Sequence, residues 1–366
     1  MSELHLVVPG WVDDPARPSG GSRYDRRLAT ALSFLGWQVH EHAVPGPWPT
    51  RTGPGLAALT NLLHDLPDGA RVLVDGAVAS GADDVLLPLA GRLSITVLVH
   101  LPFGLVPDAD PALALREGRV LRAADGVVTT SQWAADQVVS GHGVDPARMR
   151  VATPGADPAA LTAGTSAGTN LLCVAALTPL KGHDVLVAAL RHLTELEWWC
   201  ACVGPLDVAP AWWATVRQGV ADTHLTRRLT FTGPLTSEQL DVRYAAADLL
   251  VVPSRHETYG MVVSEALARG IPVIAPAVGG VPEALGDQAG TSGVLVPPGD
   301  PTALAAALRR WLTEPGHRSR LRAGARRRRG ELTGWDVTAA AVLAAVTDAP
   351  VGERVGEQAL TEGARP

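Results

Sequence analysis

Short apolar runs alternate with stretches of helical periodicity along almost the whole chain, and this alternation limits the possible folds more than any other feature. The runs occupy residues 4–8, 72–74, 95–99, 127–130, 171–175, 201–203, 229–231, 249–252, 272–275 and 294–296. Between them, apolar residues recur three and four positions apart, as at Leu28, Leu32 and Leu35. Strands alternating with helices predict parallel sheets covered by helices on both faces. Because ten strands are many for one sheet, we expect an α/β protein with two Rossmann-like sheets.

The boundary between the two sheets is predicted near residues 154–170, a stretch of small and polar residues typical of a linker. We expect a first domain over residues 1–160 and a second over 161–332. An amphipathic helix at 333–348 is expected to pack back on the first domain, and we expect residues 349–366 to form a flexible tail. Ligands of parallel sheets bind beyond the carboxyl ends of the strands, so the cleft between the domains is the expected site.

Charge and cysteine content exclude several classes of protein. The 366 residues include 31 basic and 37 acidic side chains, a net charge of −6 that argues against nucleic acid as a partner. Three cysteines are too few for a disulfide framework, and no His or Cys cluster has metal-ligand spacing. The first residues lack the basic and apolar regions of a secretory signal, so we expect a cytoplasmic protein. The oligomeric state is not indicated.

Lys181 is the only lysine among the 31 basic residues. It follows the apolar run 171–175 and precedes a predicted helix, so it lies at a strand-to-helix turn facing the cleft. A compact ammonium group at such a turn is typical of phosphate binding, whereas the alternative is a solvated helix start. The sequence therefore marks Lys181 as a candidate ligand of a phosphate group.

The densest group of candidate residues lies between positions 253 and 267, directly after the run 249–252. Glu257 is predicted in the loop at the mouth of the cleft, and Glu265 two turns into the helix that follows. The first amides of that helix, at Gly260, Met261 and Val262, have no helical partner and carry partial positive charge. They favour an anion, for which a diphosphate is the natural candidate, and the two carboxylates would bind hydroxyl groups on either side.

Two glutamates in this arrangement, followed by the segments 270–275 and 279–283, resemble glycosyltransferase family 4 over nearly the whole chain. The resemblance implies the GT-B fold and a retaining enzyme that moves a hexosyl group from a UDP- or GDP-sugar to a small-molecule, glycan or lipid acceptor. It also implies that Glu257 contacts the donor sugar, that Glu265 holds the ribose hydroxyls, and that the amides after Gly260 hold the distal phosphate.

The same resemblance implies roles for residues elsewhere in the cleft. Gly20 and Gly21 would form a loop close to the donor phosphate, where small residues allow close approach. His100, at the end of the run 95–99, would approach the donor sugar, although a structural histidine is the alternative. Gly233 and Leu235 would lie beside the nucleobase. Together with Glu257 and Lys181, His100 completes the predicted catalytic set.

One departure from the family pattern concerns the diphosphate. Relatives usually have an arginine five residues before the lysine, and both cations contact the diphosphate, but here that position is Ala176. Either Arg255 or another arginine replaces the missing cation, or the diphosphate is held more weakly. No metal or other cofactor is expected, because Lys181 and the helix amides supply the positive charge.

Two other functions stay open on the sequence. The chain could be a GT-B sugar-nucleotide epimerase or pseudo-glycosyltransferase, or a non-catalytic protein that binds nucleotide sugars, as the missing arginine suggests. A further surface is the stripe of Arg116, Arg119 and Arg122 on a predicted helix. We interpret it as a solvated face rather than as a membrane-binding surface.

Overall fold

The computed structural model describes residues 2–223, 225–286 and 290–348. The first half of the chain forms a six-stranded parallel sheet of order β2-β1-β3-β4-β5-β6. Its strands are β1 (Glu3–Pro9), β2 (Gln38–Val44), β3 (Arg71–Asp75), β4 (Ser94–Val99), β5 (Gly126–Thr129) and β6 (Met149–Val151).

The second half forms another six-stranded parallel sheet, of order β12-β11-β10-β7-β8-β9. Its strands are β7 (Asn170–Val174), β8 (Trp199–Val203), β9 (Leu229–Phe231), β10 (Leu249–Val251), β11 (Val273–Pro276) and β12 (Gly293–Val296). The strand order reverses between β7 and β10, which is where a doubly wound sheet binds its ligand.

Helices connect the strands and cover both faces of each sheet. Those of the first half are α1 (Gly20–Phe34), α2 (Gly53–His64), α3 (Gly76–Gly81), α4 (Asp83–Leu86), α5 (Pro111–Ala123) and α6 (Gln132–His142). Those of the second half are α7 (His183–Leu190), α8 (Pro210–Asp222), α9 (Ser237–Ala246), α10 (Met261–Ala268), α11 (Val281–Leu285), α12 (Pro301–Thr313), α13 (Pro315–Arg329) and α14 (Trp335–Thr347).

The last helix crosses from the second half of the chain to the first. Residues Trp335, Ala339 and Val342 of α14 lie in one apolar cluster with Leu4 and Leu28 of the first domain. Because β1, β4 and β5 are almost entirely buried, they need a helix on each face, and α14 supplies part of the cover on one of them. The C-terminal helix thereby ties the second domain to the first.

Ten predicted runs coincide with strands, but the prediction missed β2 and β6. Both are edge strands of the first sheet. In β2, only Val44 is buried among seven residues, so the strand lacks a continuous apolar run. β6 is three residues long and too short for a recognisable pattern. An edge strand with one open side does not need the hydrophobic residues that marked the central strands.

The structure describes the predicted linker but not the predicted tail. Residues 152–169, all of which the structure describes, contain no helix or strand and connect β6 to β7. The predicted tail, 349–366, lies outside the described residues. Within the described ranges, no helix has both the length and the apolar character needed to cross a bilayer.

Candidate active site

The two domains meet at the carboxyl ends of their strands, where hydrogen bonds join them. The carboxylate of Glu283, on α11, accepts hydrogen bonds from the first two amides of α6, at Gln132 and Trp133, each at 2.8 Å. Ser131 donates its hydroxyl to the carbonyl oxygen of Thr258 at 2.5 Å. A carboxylate at a helix N-terminus is favourable because it meets free amides and the positive end of the helix dipole. The cleft is therefore held narrow in this structure.

Lys181 and Glu257 form the centre of the site on the second domain. The Lys181 ammonium donates to Glu257 Oε1 at 2.6 Å, and the Ser254 hydroxyl donates to the same oxygen at 2.8 Å. The Glu257 side chain is 10% exposed and that of Lys181 30% exposed. Both donors use Oε1, and no hydrogen bond from the described residues reaches Oε2, so the second oxygen can accept a hydroxyl group. The ammonium in turn has donors left for an anion.

Two tight backbone contacts hold this pair in place. Gly182, directly after Lys181, has φ of +64°, and a Cβ there would lie 2.1 Å from the carbonyl oxygen of Pro253. A Cβ at Gly279 would lie 1.5 Å from the carbonyl oxygen of Glu257. Both positions therefore require glycine. The close approaches press the loops after β7 and β11 against the loop that carries Glu257.

Arg255 lies beside the pair but is already bound. Its guanidinium donates to both carboxylate oxygens of Asp184, at 2.7 and 2.5 Å, and to the carbonyl oxygen of Pro179. This fork-to-fork geometry is the strongest arrangement for an arginine–carboxylate pair. Arg255 therefore braces the turn that presents Lys181, and the structure does not place it as a free replacement for the cation missing at Ala176.

The N-terminus of α10 lies opposite that of α1. Gly260 caps α10 with φ of +87°, so the amides of Met261 and Val262 are the free donors of its first turn. Gly20 and Gly21 were predicted in a loop but are the first two residues of α1, because Ser19 caps that helix by accepting from the amide of Ser22. A Cβ at Gly20 would lie 3.6 Å from the Met261 sulfur. Two helix N-termini thus converge on one region.

His100 joins this region from the first domain, with partners that sequence reasoning missed. Its Nε2 lies 2.8 Å from Asp25 Oδ1 and 3.4 Å from Asp75 Oδ2. Burial opposes a charged imidazole, but the attraction of the two carboxylates outweighs it and raises the pKa of His100. Burial and repulsion by Asp25 raise the pKa of Asp75 to about 7. A Cβ at Gly21 would touch the His100 ring at 3.2 Å, so His100 lies at the start of α1.

Glu265, predicted to hold ribose hydroxyls, is engaged across the cleft. Arg23 of α1 contacts Glu265 Oε1 at 3.0 Å, and the Tyr244 hydroxyl donates to Oε2 at 2.8 Å. Arg23 also donates to Asp157, in the linker. The sequence offered no signal for Arg23, since a single arginine on a helix face is common. In this structure, a ribose hydroxyl at Oε1 of Glu265 would compete with Arg23, while Oε2 accepts from Tyr244.

The loops after β8 and β9 lie next to the turn that carries Lys181. Gly233 accepts a hydrogen bond from the amide of Gly204 through its carbonyl, at 3.1 Å, and Leu235 packs against the apolar cluster below β10. Leu177 donates its amide to the carbonyl of Pro205 at 2.8 Å. The structure thus brings Gly233 and Leu235 to the same edge of the sheet as the turn that carries Lys181.

Comparison with known proteins finds similar sequences among glycosyltransferases. Residues 167–328 match the family model described as glycosyl transferases group 1. The chain is 36% identical over 247 residues to the D-inositol 3-phosphate glycosyltransferase of Xylanimonas cellulosilytica, covering 62% of this chain and 58% of the relative. The corresponding protein of Mycobacteroides abscessus is 37% identical over 201 residues, covering 51% of this chain and 44% of the relative. The chain thus spans about half the length of the curated relatives it matches.

Solved structures show the same architecture. Sucrose-phosphate synthase from Thermosynechococcus elongatus superposes with a TM-score of 0.78 at 23% identity, covering 95% of this chain and 99% of that one. Anabaena HepE, solved in complex with UDP-glucose, superposes with a TM-score of 0.75 at 16% identity, covering 95% and 100%.

Two facing Rossmann-like domains, with a lysine–glutamate pair at the carboxyl edge of the second sheet, define a GT-B protein, as the sequence predicted. The match of residues 167–328 to the glycosyl transferases group 1 model and the similarity to D-inositol 3-phosphate glycosyltransferases support the GT-B glycosyltransferase that the motifs predicted.

Proposed function

We propose that this chain is a retaining glycosyltransferase that moves a hexosyl group from a nucleoside-diphosphate sugar to an acceptor. The observation that carries the proposal is the pair formed by Lys181 and Glu257 beside the free amides of α10. The ammonium and the amides offer positive charge to a diphosphate, while the free oxygen of Glu257 offers an acceptor to a sugar hydroxyl. These groups are the ones that departure of a nucleoside diphosphate requires.

In this proposal, the bond between the anomeric carbon and the diphosphate oxygen breaks while negative charge grows on the phosphate. Lys181 and the amides of Met261 and Val262 stabilise that charge, so the proposal needs no metal ion at the diphosphate. The acceptor hydroxyl attacks from the face that the phosphate leaves, and the phosphate takes its proton. Attack on the same face retains the configuration of the sugar.

The relatives suggest which substrates to test first. HepE was solved with UDP-glucose, so UDP-sugars come before GDP-sugars as donors. The curated relatives act on D-inositol 3-phosphate, so inositol phosphates are the first acceptors to test. The cluster of His100, Asp25 and Asp75 lies on the first domain, where it faces the donor sugar or the acceptor.

The test is a screen of radiolabelled UDP-, GDP-, ADP- and TDP-sugars with the full chain, with and without an inositol phosphate acceptor. A labelled glycoside with retained anomeric configuration supports the proposal. Interconversion of sugar nucleotides would instead indicate the epimerase alternative. Binding that raises the unfolding temperature, without transfer or donor hydrolysis, would indicate a nucleotide-sugar binding protein.

A further inference from the structure

The three cysteines of the chain lie together in the second sheet, although the first and the second are 27 positions apart in the sequence. Cys173 on β7 and Cys202 on β8 are direct partners across the two parallel strands. Cys200 precedes Cys202 by two residues and lies on the same face, in the same apolar cluster. Each of the three is at most 2% exposed. The sulfurs of Cys173 and Cys202 lie within 4.8 Å of each other.

A buried histidine completes the group. His183, the first residue of α7, is 1% exposed, and its Nε2 lies 3.9 Å from the Cys173 sulfur. Its Nδ1 has no hydrogen-bond partner among the described residues. The nitrogen that faces the cysteines is Nε2, and among the described residues its only hydrogen-bond partner is the weakly polar Cys173 sulfur. A metal ion shared with the cysteine sulfurs would therefore bind at Nε2.

The distances suit a tetrahedral zinc ion. One nitrogen of His183 and the sulfurs of Cys173 and Cys202 lie within 4.8 Å of one another. Zinc binds sulfur at about 2.3 Å and nitrogen at about 2.0 Å, which places sulfur and nitrogen about 3.5 Å apart and two sulfurs about 3.8 Å apart. The observed 3.9 Å between Cys173 and His183 requires a shift of only a few tenths of an ångström. Thiolate with imidazole is also a donor set that favours zinc over the hard cations.

We propose that Cys173, Cys202 and His183 bind a structural Zn²⁺ ion. The Cys200 sulfur lies outside this cluster in the present structure, and rotation of its side chain on the same face of β8 would bring it in as the fourth ligand. Four protein ligands and complete burial are typical of structural rather than catalytic zinc sites. The expectation that the chain lacks a metal cluster rested on sequence spacing, and the ligands come instead from β7, β8 and α7.

The position of the site indicates what the ion does. His183 follows Lys181 by two residues and begins the helix after the turn that presents the ammonium. An ion bound to His183 and to both strands would fix the start of α7 against the sheet, and with it the turn. The ion would thus stabilise the second domain without contacting a substrate.

Metal content tests the site directly. The full chain is expressed in medium supplemented with ZnSO₄, dialysed against metal-free buffer, and measured by inductively coupled plasma mass spectrometry. We expect about one zinc per chain, released when a mercurial reagent blocks the thiols. Less than a tenth of an equivalent in the wild-type protein, or a disulfide between Cys173 and Cys202 in its mass spectrum, would overturn the proposal.

Variants and a second metal make the test independent of folding defects. His183→Ala should lose the zinc, whereas His192→Ala, an exposed histidine nine residues further on, should keep it. Retention of zinc by His183→Ala contradicts the proposal. The wild-type chain loaded with Co²⁺ should show the near-ultraviolet charge-transfer band of thiolate–cobalt bonds. A spectrum typical of cobalt bound only by oxygen and nitrogen atoms would contradict the proposal, and this test needs no variant.

Discussion

If Glu265 holds the ribose, as the family resemblance implies, removal of Arg23 should increase the affinity for the donor, because Arg23 occupies that carboxylate. The Arg23–Glu265 pair is 3.0 Å long, with side chains 34% and 13% exposed. A partly exposed ion pair contributes about 1 kcal/mol. A donor that must break this ion pair binds less tightly, because its binding free energy is reduced by that amount. Since 1.4 kcal/mol is a tenfold change in affinity, Arg23→Ala should lower the dissociation constant for UDP about fivefold.

Isothermal titration of UDP into the two proteins measures the effect. Arg27→Ala is the matched control, because Arg27 contacts Asp157 at 2.9 Å and Arg23 contacts it at 3.0 Å, but of the two only Arg23 also pairs with Glu265 within the described part of the chain. Its dissociation constant should equal that of the wild-type protein. If Arg23→Ala binds UDP equally or more weakly, Arg23 does not compete with the donor, and the reasoning about Glu265 fails.

Three further predictions concern the charges of the site. Lys181→Ala should lower kcat about 10²–10³-fold, as expected for loss of a group that stabilises transition-state charge. Lys181→Arg should recover only part of the rate, because the longer, planar guanidinium cannot put its charge where the compact ammonium contacts Glu257. Initial rates of transfer test both variants, and a normal rate for Lys181→Arg would contradict the need for a compact cation. Ala176→Arg should lower the KM for the donor severalfold, and an unchanged KM would show that another cation already serves there. Asp75→Asn should flatten the pH dependence of the unfolding temperature. The pKa of Asp75 is about 7 in the folded state against 3.8 ordinarily, so the folded protein holds the extra proton and loses stability as the pH rises from about 4 to 7. The raised pKa of His100 has the same effect: the folded protein loses stability as the pH rises through the pKa that His100 has in the folded state. Parallel pH profiles for variant and wild type would contradict the assignment.

The central strands and the motif-bearing loops could be predicted from the sequence because their signals are local. A strand buried on both faces needs a continuous apolar run, and Lys181 and Glu257 directly follow such runs. Edge strands carry no such requirement, so β2, with His40, Glu41 and His42 in its centre, resembled a polar loop. Residue type and position relative to a strand thus predict the central residues of the site, Lys181 and Glu257. They do not predict the edge strands of the sheet.

Contacts between distant elements could not be predicted in this way. His100 was a candidate because it ends a strand, but its partners Asp25 and Asp75 come from α1 and from the end of β3. Their meeting depends on how α1 packs over the first sheet, which no spacing in the sequence reports. The same holds for Arg23 and Glu265, which lie in different domains. Pairs that depend on domain packing require the three-dimensional structure.

Transfer of sugar by wild-type and Glu257→Gln proteins tests the central claim most directly. Glu257→Gln keeps the size of the side chain and can still accept from Ser254, but it removes the charge that pairs with Lys181. With labelled UDP-sugar and an inositol phosphate acceptor, the wild-type chain should form a glycoside with retained anomeric configuration. The variant should fold with a similar circular dichroism spectrum and lose at least about 10²-fold in rate. Equal rates for the two proteins would contradict the assignment of Glu257, and the absence of transfer from every UDP-, GDP-, ADP- and TDP-sugar by the wild-type chain would contradict the proposed function.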